Sequence, residues 1–103
     1  MARLIPVCGH ARWVHPANPP QFTLQELQEL VRTNAPEGVV EPVFDFKYGS
    51  YCLLVNEEGI RYGLPVNESA SVLAQRTIRG NAILVAEPEW DWPWIAGSDQ
   101  NNN

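Results

Sequence analysis

The sequence predicts a single α+β domain: a mostly antiparallel sheet of about five or six strands with two helices on one face. Three observations predict it. The chain has 103 residues, of which 45% are hydrophobic and 18% charged, enough for one core and little more. Two segments carry helix-start signals, and short apolar runs alternate with Gly and Pro turns. We assign residues 1–96 to the domain and expect residues 97–103 to be a mobile polar tail.

The N-terminal part predicts a hairpin followed by a loop. Residues 3–7 and 11–15 have the composition of two short strands, and the segment Cys8-Gly9-His10 between them is suited to a tight turn. Residues 16–21 contain three prolines, and proline lacks the backbone donor that a helix or strand interior needs. We therefore predict a loop there.

The first helix has the clearest local signal. Thr23 is followed three residues later by Glu26, which is the capping-box pattern of a helix start. Phe22 and Leu27 have the spacing of a hydrophobic staple across that cap. The apolar residues that follow share one face at helical spacing: Leu24, Leu27, Leu30 and Val31.

The remaining strands and the second helix follow in order. Residues 38–46 predict a strand interrupted by Pro42, which indicates an edge strand or a bulge. Residues 51–56 predict a central strand, and residues 81–86 a final buried strand. Between them, Asn67 is suited to cap a second helix.

The stretch VNEEGIRYGLPVN, residues 55–67, raises the question of a site. We interpret it as a turn in which Gly59 supplies a positive φ, followed by a short strand carrying Ile60 and Tyr62. Gly63 then allows a bend before the cap at Asn67. The stretch predicts a fold feature and needs no ligand to explain it.

The same stretch resembles a family of small uncharacterised domains found in phages, prophages and mobile elements. The resemblance covers roughly residues 22–86, and one similar member is an anti-CRISPR inhibitor of a type II CRISPR nuclease. The matching residues are Asn56, Glu57, Glu58, Gly59, Gly63, Leu64, Pro65, Asn67, Ile78 and Gly80. The connection after the first helix departs from the family, with extra residues over 31–41. The resemblance implies a context and a fold, without catalytic residues.

Charge and hydropathy exclude several classes of protein. The net charge is −5 and the pI about 4.8, whereas a direct nucleic-acid binder usually shows a basic face. No run of apolar residues is long enough to span a bilayer or to form a signal peptide. We expect a cytoplasmic protein with Cys8 and Cys52 reduced, and the resemblance implies the cytoplasm of a host cell.

Candidate catalytic and metal-binding residues are sparse. Cys8, His10, His15 and Cys52 lack the spacing of a structural zinc site and of known Cys–His nucleophiles. The neighbouring carboxylates of 57–58 are expected to be solvated on a turn, and no Walker or Rossmann glycine loop is present. We expect no metal, no cofactor and no enzymatic activity.

Two groups of residues are candidates for binding. Arg61, Arg76 and Arg79, with Tyr62 beside them, would form an anion-binding cluster if the fold brings them together, although three solvated surface arginines are the alternative. Such pockets are often built across a subunit interface, so a homo-oligomer is a further expectation.

The second group is the Trp-rich end of the chain. Trp90, Trp92 and Trp94 share one face of an extended segment and would bind a partner, or else pack on the chain's own sheet edge. The functional hypothesis is a non-enzymatic phage-type protein that inhibits a host immune protein such as a CRISPR nuclease. The alternatives are an oligomeric sponge for a nucleotide immune signal, or a phage protein unrelated to defence.

Overall fold

The computed structural model describes residues 2–19, 21–33, 35, 38–43, 46 and 49–86. These residues form five strands and two helices. In chain order they are β1 (Ala2–Ile5), β2 (Arg12–Val14), α1 (Leu24–Arg32), β3 (Val40–Pro42), β4 (Tyr51–Asn56), α2 (Glu68–Ala74) and β5 (Ala82–Ala86). The expected mobile tail, 97–103, lies outside the described residues.

The five strands form one antiparallel sheet in the order β2-β1-β5-β4-β3. The α+β class, the antiparallel sheet and the two helices predicted from the sequence are therefore confirmed. β4 and β5 lie inside the sheet because their side chains are apolar on both faces, as in the buried run from Leu53 to Val55. β2 and β3 are the edges, which agrees with the edge position predicted from Pro42.

The core lies on both faces of the sheet, so the expectation that both helices share one face is corrected. Leu54 and Ile83 pack with Leu27 and Val31 of α1 on one face. The other face packs Leu53 with Ala70 of α2. Because successive strand side chains point to opposite faces, strands that are apolar at every position need cover on both sides.

Both helix starts agree with the sequence prediction. The Thr23 hydroxyl accepts from the backbone N–H of Glu26 at 3.1 Å, and the Glu26 carboxylate accepts from that of Thr23 at 2.8 Å. At α2 the side-chain oxygen of Asn67 accepts from the N–H of Ala70 at 3.1 Å. These bonds satisfy donors that a helix start leaves without partners.

The segment between β4 and α2 differs from the prediction in two ways. Residues 57–63 form consecutive turns, so the prediction of a short strand carrying Ile60 and Tyr62 is wrong. Gly63 has the positive φ, 61°, whereas Gly59 is not among the glycines with a positive φ. Gly59 is closely packed instead, because a Cβ there would lie 3.1 Å from the Cβ and from the carbonyl oxygen of Arg79, and the neighbouring segment would have to shift by a few tenths of an ångström.

Candidate functional site

The strongest candidate site is a cleft between the β3 edge and the segment that follows α2. It has a volume of about 390 Å³, within the range of small-ligand pockets. We call it the charged cleft. Its lining comprises Glu41, Pro42, Val43, Val55, Asn56, Glu57, Gly59, Ile60, Arg76, Thr77, Ile78 and Arg79.

Strand pairing and a turn bring the cleft's carboxylates together. Glu41 pairs with Val55 in the β3–β4 register. Beyond the end of β4, the backbone N–H of Glu57 donates to the carbonyl oxygen of Val39 at 2.6 Å. This bond continues the β3–β4 contact by one step, so Glu57 stays on the wall that Glu41 belongs to.

The base of the charged cleft is apolar, and one apolar side chain stands at its rim. Val43, Val55 and Ile78 are buried parts of the core. Ile60 lines the same cleft and is 84% exposed, a large apolar side chain left in water. A single exposed isoleucine is ordinary on a protein surface, but its position beside a cleft gives a ligand an apolar contact.

The carboxyl group of Glu41 has a perturbed environment. Its burial raises its pKa first of all, because a charged carboxylate loses hydration at this half-buried position. The nearby carboxylates of Glu57 and Glu58 raise the pKa further, while Arg76 opposes them. The carboxyl group of Glu41 therefore lies close to other carboxylates, and an additional cation in the cleft would stabilise its charged form.

The four residues predicted to bind an anion are only partly brought together. Arg76 and Arg79 line the charged cleft, whereas Arg61 and Tyr62 are not among its lining residues. Arg61 lies 3.5 Å from the carboxylate of Glu58, and its guanidinium carbon is 5.6 Å from the centre of the Tyr62 ring. The expected cluster is therefore divided between a cleft and a neighbouring surface.

Arg79 also has a role in the fold. Its Nη1 donates to the carbonyl oxygen of Leu64 at 3.0 Å, and its backbone forms an antiparallel bridge with Val66. These contacts hold the segment after α2 against the segment before it. Its guanidinium is already engaged by the chain itself, which reduces what it can offer an anionic ligand.

The residues that carry the family resemblance mostly support the fold. Asn56 is buried; its Nδ2 donates to the carbonyl oxygen of Val31 at 3.4 Å, and its Oδ1 accepts from the N–H of Glu58 at 2.8 Å. Gly80 has a φ of 84°, and a Cβ there would lie 2.8 Å from the side chain of Leu64. This agrees with the interpretation of 55–67 as a fold feature.

Sequence reasoning missed Glu41 and Ile60 as site residues, and it treated Glu57 only as a solvated turn residue. One signal was available, because Glu41 is the sole charged residue in the apolar run 38–44. A charge inside an otherwise apolar strand usually marks a position near the edge of a core. Ile60 gave no such signal, since its exposure depends on the turn that replaces the expected strand.

A second concave surface lies between the β2 edge and α1. This β2–α1 groove has a volume of about 640 Å³. Its lining residues are Trp13, Val14, His15, Phe22, Thr23, Gln25, Glu26, Glu29 and Leu30. Trp13 is 58% exposed, with the Arg3 guanidinium carbon 5.6 Å from its ring centre.

The remaining site predictions have different outcomes. Trp90, Trp92 and Trp94 lie outside the described residues, so their partner-binding role stays a prediction. Cys8 is an exposed free thiol and Cys52 a half-buried one.

Within the described ranges, no group of three or more His, Cys, Asp or Glu side chains could hold a metal ion. In the same part of the chain, no helix has the length and apolar character needed to cross a membrane.

No family model matches the chain, and neither a curated protein nor a solved structure matches it. The resemblance of residues 22–86 to the phage-associated family therefore stays a prediction from the sequence.

Proposed function

We propose that the protein is a phage-type accessory protein that acts by binding in the host cytoplasm, without enzymatic activity. Its target is a host defence protein such as a CRISPR nuclease, which it inhibits by occupying a basic surface. The charged cleft is the binding surface for that partner. The proposed binding involves no metal or cofactor.

The observation that carries this proposal is the pairing of acidic and apolar groups in one cleft. Glu41 and Glu57 stand beside the exposed side chain of Ile60. A partner segment with a Lys or Arg next to an apolar residue would satisfy both features at once. The cation would relieve the repulsion between the carboxylates, and Ile60 would leave water.

Two properties of the whole chain support the choice of partner. Its net charge of −5 favours association with a basic protein surface, and nucleases that hold nucleic acid present such surfaces. The resemblance of residues 22–86 to a phage-associated family with an anti-CRISPR member supports the defence context. Direct binding of nucleic acid by this chain is disfavoured by the same charge.

The alternative function is a sponge for a nucleotide immune signal. It is favoured by one observation, namely that Arg76 and Arg79 line the same cleft. Phosphates entering there would also meet Glu41 and Glu57, and like charges at short range oppose binding. A partner cation would likewise meet Arg76 and Arg79, so the lining itself is balanced between the two partners. The net charge of −5 of the whole chain favours the basic protein partner over an anionic small molecule.

Phage plating tests the proposal in the cell. The protein is expressed in bacteria that each carry one defence system, with CRISPR and nucleotide-signalling systems tested together. Rescue of plating against a CRISPR system supports protein inhibition. Rescue against a signalling system, with a nucleotide released when the purified protein is heated, supports the sponge. Absence of rescue against all of them contradicts the defence role and leaves a phage protein with another function.

A further inference from the structure

The β2–α1 groove is an apolar surface at one edge of the sheet. Val14 and Leu30 line it and are only partly buried, although both pack against the core. Phe22, which is buried, forms part of the same lining. A segment bound in this groove would remove these apolar side chains from water and would cover the three-residue edge strand β2.

The register of the sheet places the end of β5 close to this groove. Ala2 pairs with Val14, and Arg3 pairs with Leu84, so the next residue along β5, Val85, stands beside Ala2. Val85, Ala2 and Val14 therefore form one row across three neighbouring strands. Two strand spacings separate the ends of that row, which is about 10 Å. The chain leaves the sheet one residue later, at Ala86.

The sequence beyond Ala86 fits an apolar groove with an acidic rim. Trp90, Trp92 and Trp94 alternate with other residues, so an extended segment presents three indoles on one face. Glu89 and Asp91 then face away from the indoles. This separation matters because the groove also carries carboxylates, Glu26 and Glu29. Two prolines, at 88 and 93, disfavour a helix, in which the alternate indoles would not share a face.

We propose that, in the free protein, the β2–α1 groove binds the indole side chains of segment 90–94 of the same chain. Reach is sufficient: four extended residues, 87–90, span at most about 14 Å, which exceeds the distance across the two strand spacings. The proposed contact lies outside the charged cleft, so it goes beyond the proposed function. It assigns the Trp-rich segment to the chain's own fold and gives the β2 edge a cover.

Methyl NMR of the full-length chain tests this contact. The variant replaces all three indoles, Trp90→Ser, Trp92→Ser and Trp94→Ser together. We expect the methyl resonances of Val14 and Leu30, in the groove, to shift because the aromatic rings next to them are gone. The methyl groups of Val43 in the charged cleft should stay unchanged. Asp91→Asn is the matched control, since it alters the same segment and keeps every indole.

Unchanged Val14 and Leu30 resonances would overturn the proposal. Shifts whose size depends on protein concentration would also overturn it, because they would mean that the segment binds a second copy. A fluorescence measurement on a second variant tests the same contact in case the triple variant fails to fold. The chain has four tryptophans, and the full-length Trp13→Phe variant keeps only the three in the segment. Emission typical of buried indoles supports the contact, and emission typical of indoles in water contradicts it.

Discussion

The side-chain amide of Asn67 donates to the carbonyl oxygen of Ile5 at 2.8 Å, joining residues 62 positions apart in the chain. The same nitrogen donates to the carbonyl oxygen of Gly80 at 2.9 Å. Its side-chain oxygen caps α2 through the N–H of Ala70. Asn67 is fully buried, so water cannot replace any of these partners. One side chain therefore connects the start of α2 with β1 and with the turn before β5.

Replacing Asn67 by Ala should destabilise the domain by about 2–4 kcal/mol, because the helix cap is lost and two buried carbonyl groups lose their donor. Asn67→Ser should be intermediate, since the hydroxyl can retain the cap. Urea unfolding measures both changes. Asn18→Ala is the control, because Asn18 is exposed and should change stability by less than about 0.5 kcal/mol. Equal stability of Asn67→Ala and Asn18→Ala would contradict this role.

Two glycines separate the cost of backbone strain from the cost of a steric clash. Gly63 and Gly80 both have a positive φ, but a Cβ at Gly63 would meet no atom within 4 Å. Gly63→Ala should therefore cost about 1–2 kcal/mol, from the strained conformation alone. At Gly80 the new Cβ would also clash with Leu64, so Gly80→Ala should cost about 2–4 kcal/mol. Thermal unfolding compares the two, and a smaller loss for Gly80→Ala would refute the packing argument.

Local signals predicted the helices well and the segment after β4 less well. The caps at Thr23 and Asn67 are formed by residues close in sequence, so spacing alone identifies them. The role of Asn67 as a donor to Ile5 depends on a contact 62 positions away, which no local pattern contains. For the same reason the sequence did not place α1 and α2 on opposite faces. That arrangement depends on how the strands are ordered in the sheet.

The raised pKa of Glu41 should make the stability of the domain depend on pH. Its pKa is raised in the fold by burial, and by Glu57 and Glu58, against the effect of Arg76. The folded state therefore binds its proton more tightly than the unfolded state does. This contribution is fully present below the ordinary pKa of a glutamate and is lost as the pH rises through the raised pKa. Glu41→Gln should remove that loss, so its stability relative to wild type should increase with pH across this window.

Glu26 is the matched control for that measurement. Its pKa is lowered, first by the hydrogen bond from the backbone N–H of Thr23 and then by that from Ala17. Its contribution is present above the ordinary pKa and is lost as the pH falls through the lowered value. Glu26→Gln should therefore be less stable than wild type at neutral pH, and the difference should shrink in acid. Urea unfolding at several pH values measures the stability of each variant relative to wild type. If this difference changed with pH in the same direction for Glu41→Gln and Glu26→Gln, the account would be contradicted.

The arginines should differ in their effect on folding. Arg79→Ala should destabilise the domain by about 1 kcal/mol, because the hydrogen bond from Nη1 to Leu64 is lost. Arg61→Ala should have an effect close to zero, since Arg61 is exposed and its contact with Glu58 is a surface ion pair of 3.5 Å. Urea unfolding measures both. Equal losses would mean that Arg79 has no structural role.

The candidate site could be predicted only in part from the sequence. Arg76 and Arg79 were predicted as members of an anion-binding cluster, and both line the charged cleft. Arg61 was grouped with them on condition that the fold brings the three together, and it lies outside the lining of the cleft. Glu41 enters the site from a different element, through the β3–β4 register. A site assembled from residues this far apart requires the topology, which local patterns do not specify.

The most direct test of the binding cleft is phage plating with variants at one exposed position inside it and one outside. Ile60→Lys removes the apolar contact at the rim of the cleft and adds a positive charge that repels a basic partner. Val72→Lys adds the same charge on α2, where Val72 is 79% exposed and outside both concave surfaces. Both should fold like wild type. In cells carrying the CRISPR system that the wild-type protein blocks, we expect Val72→Lys to keep the rescue of plating and Ile60→Lys to lose it. Equal rescue by the two variants, or no rescue by the wild-type protein against any system, would contradict the account.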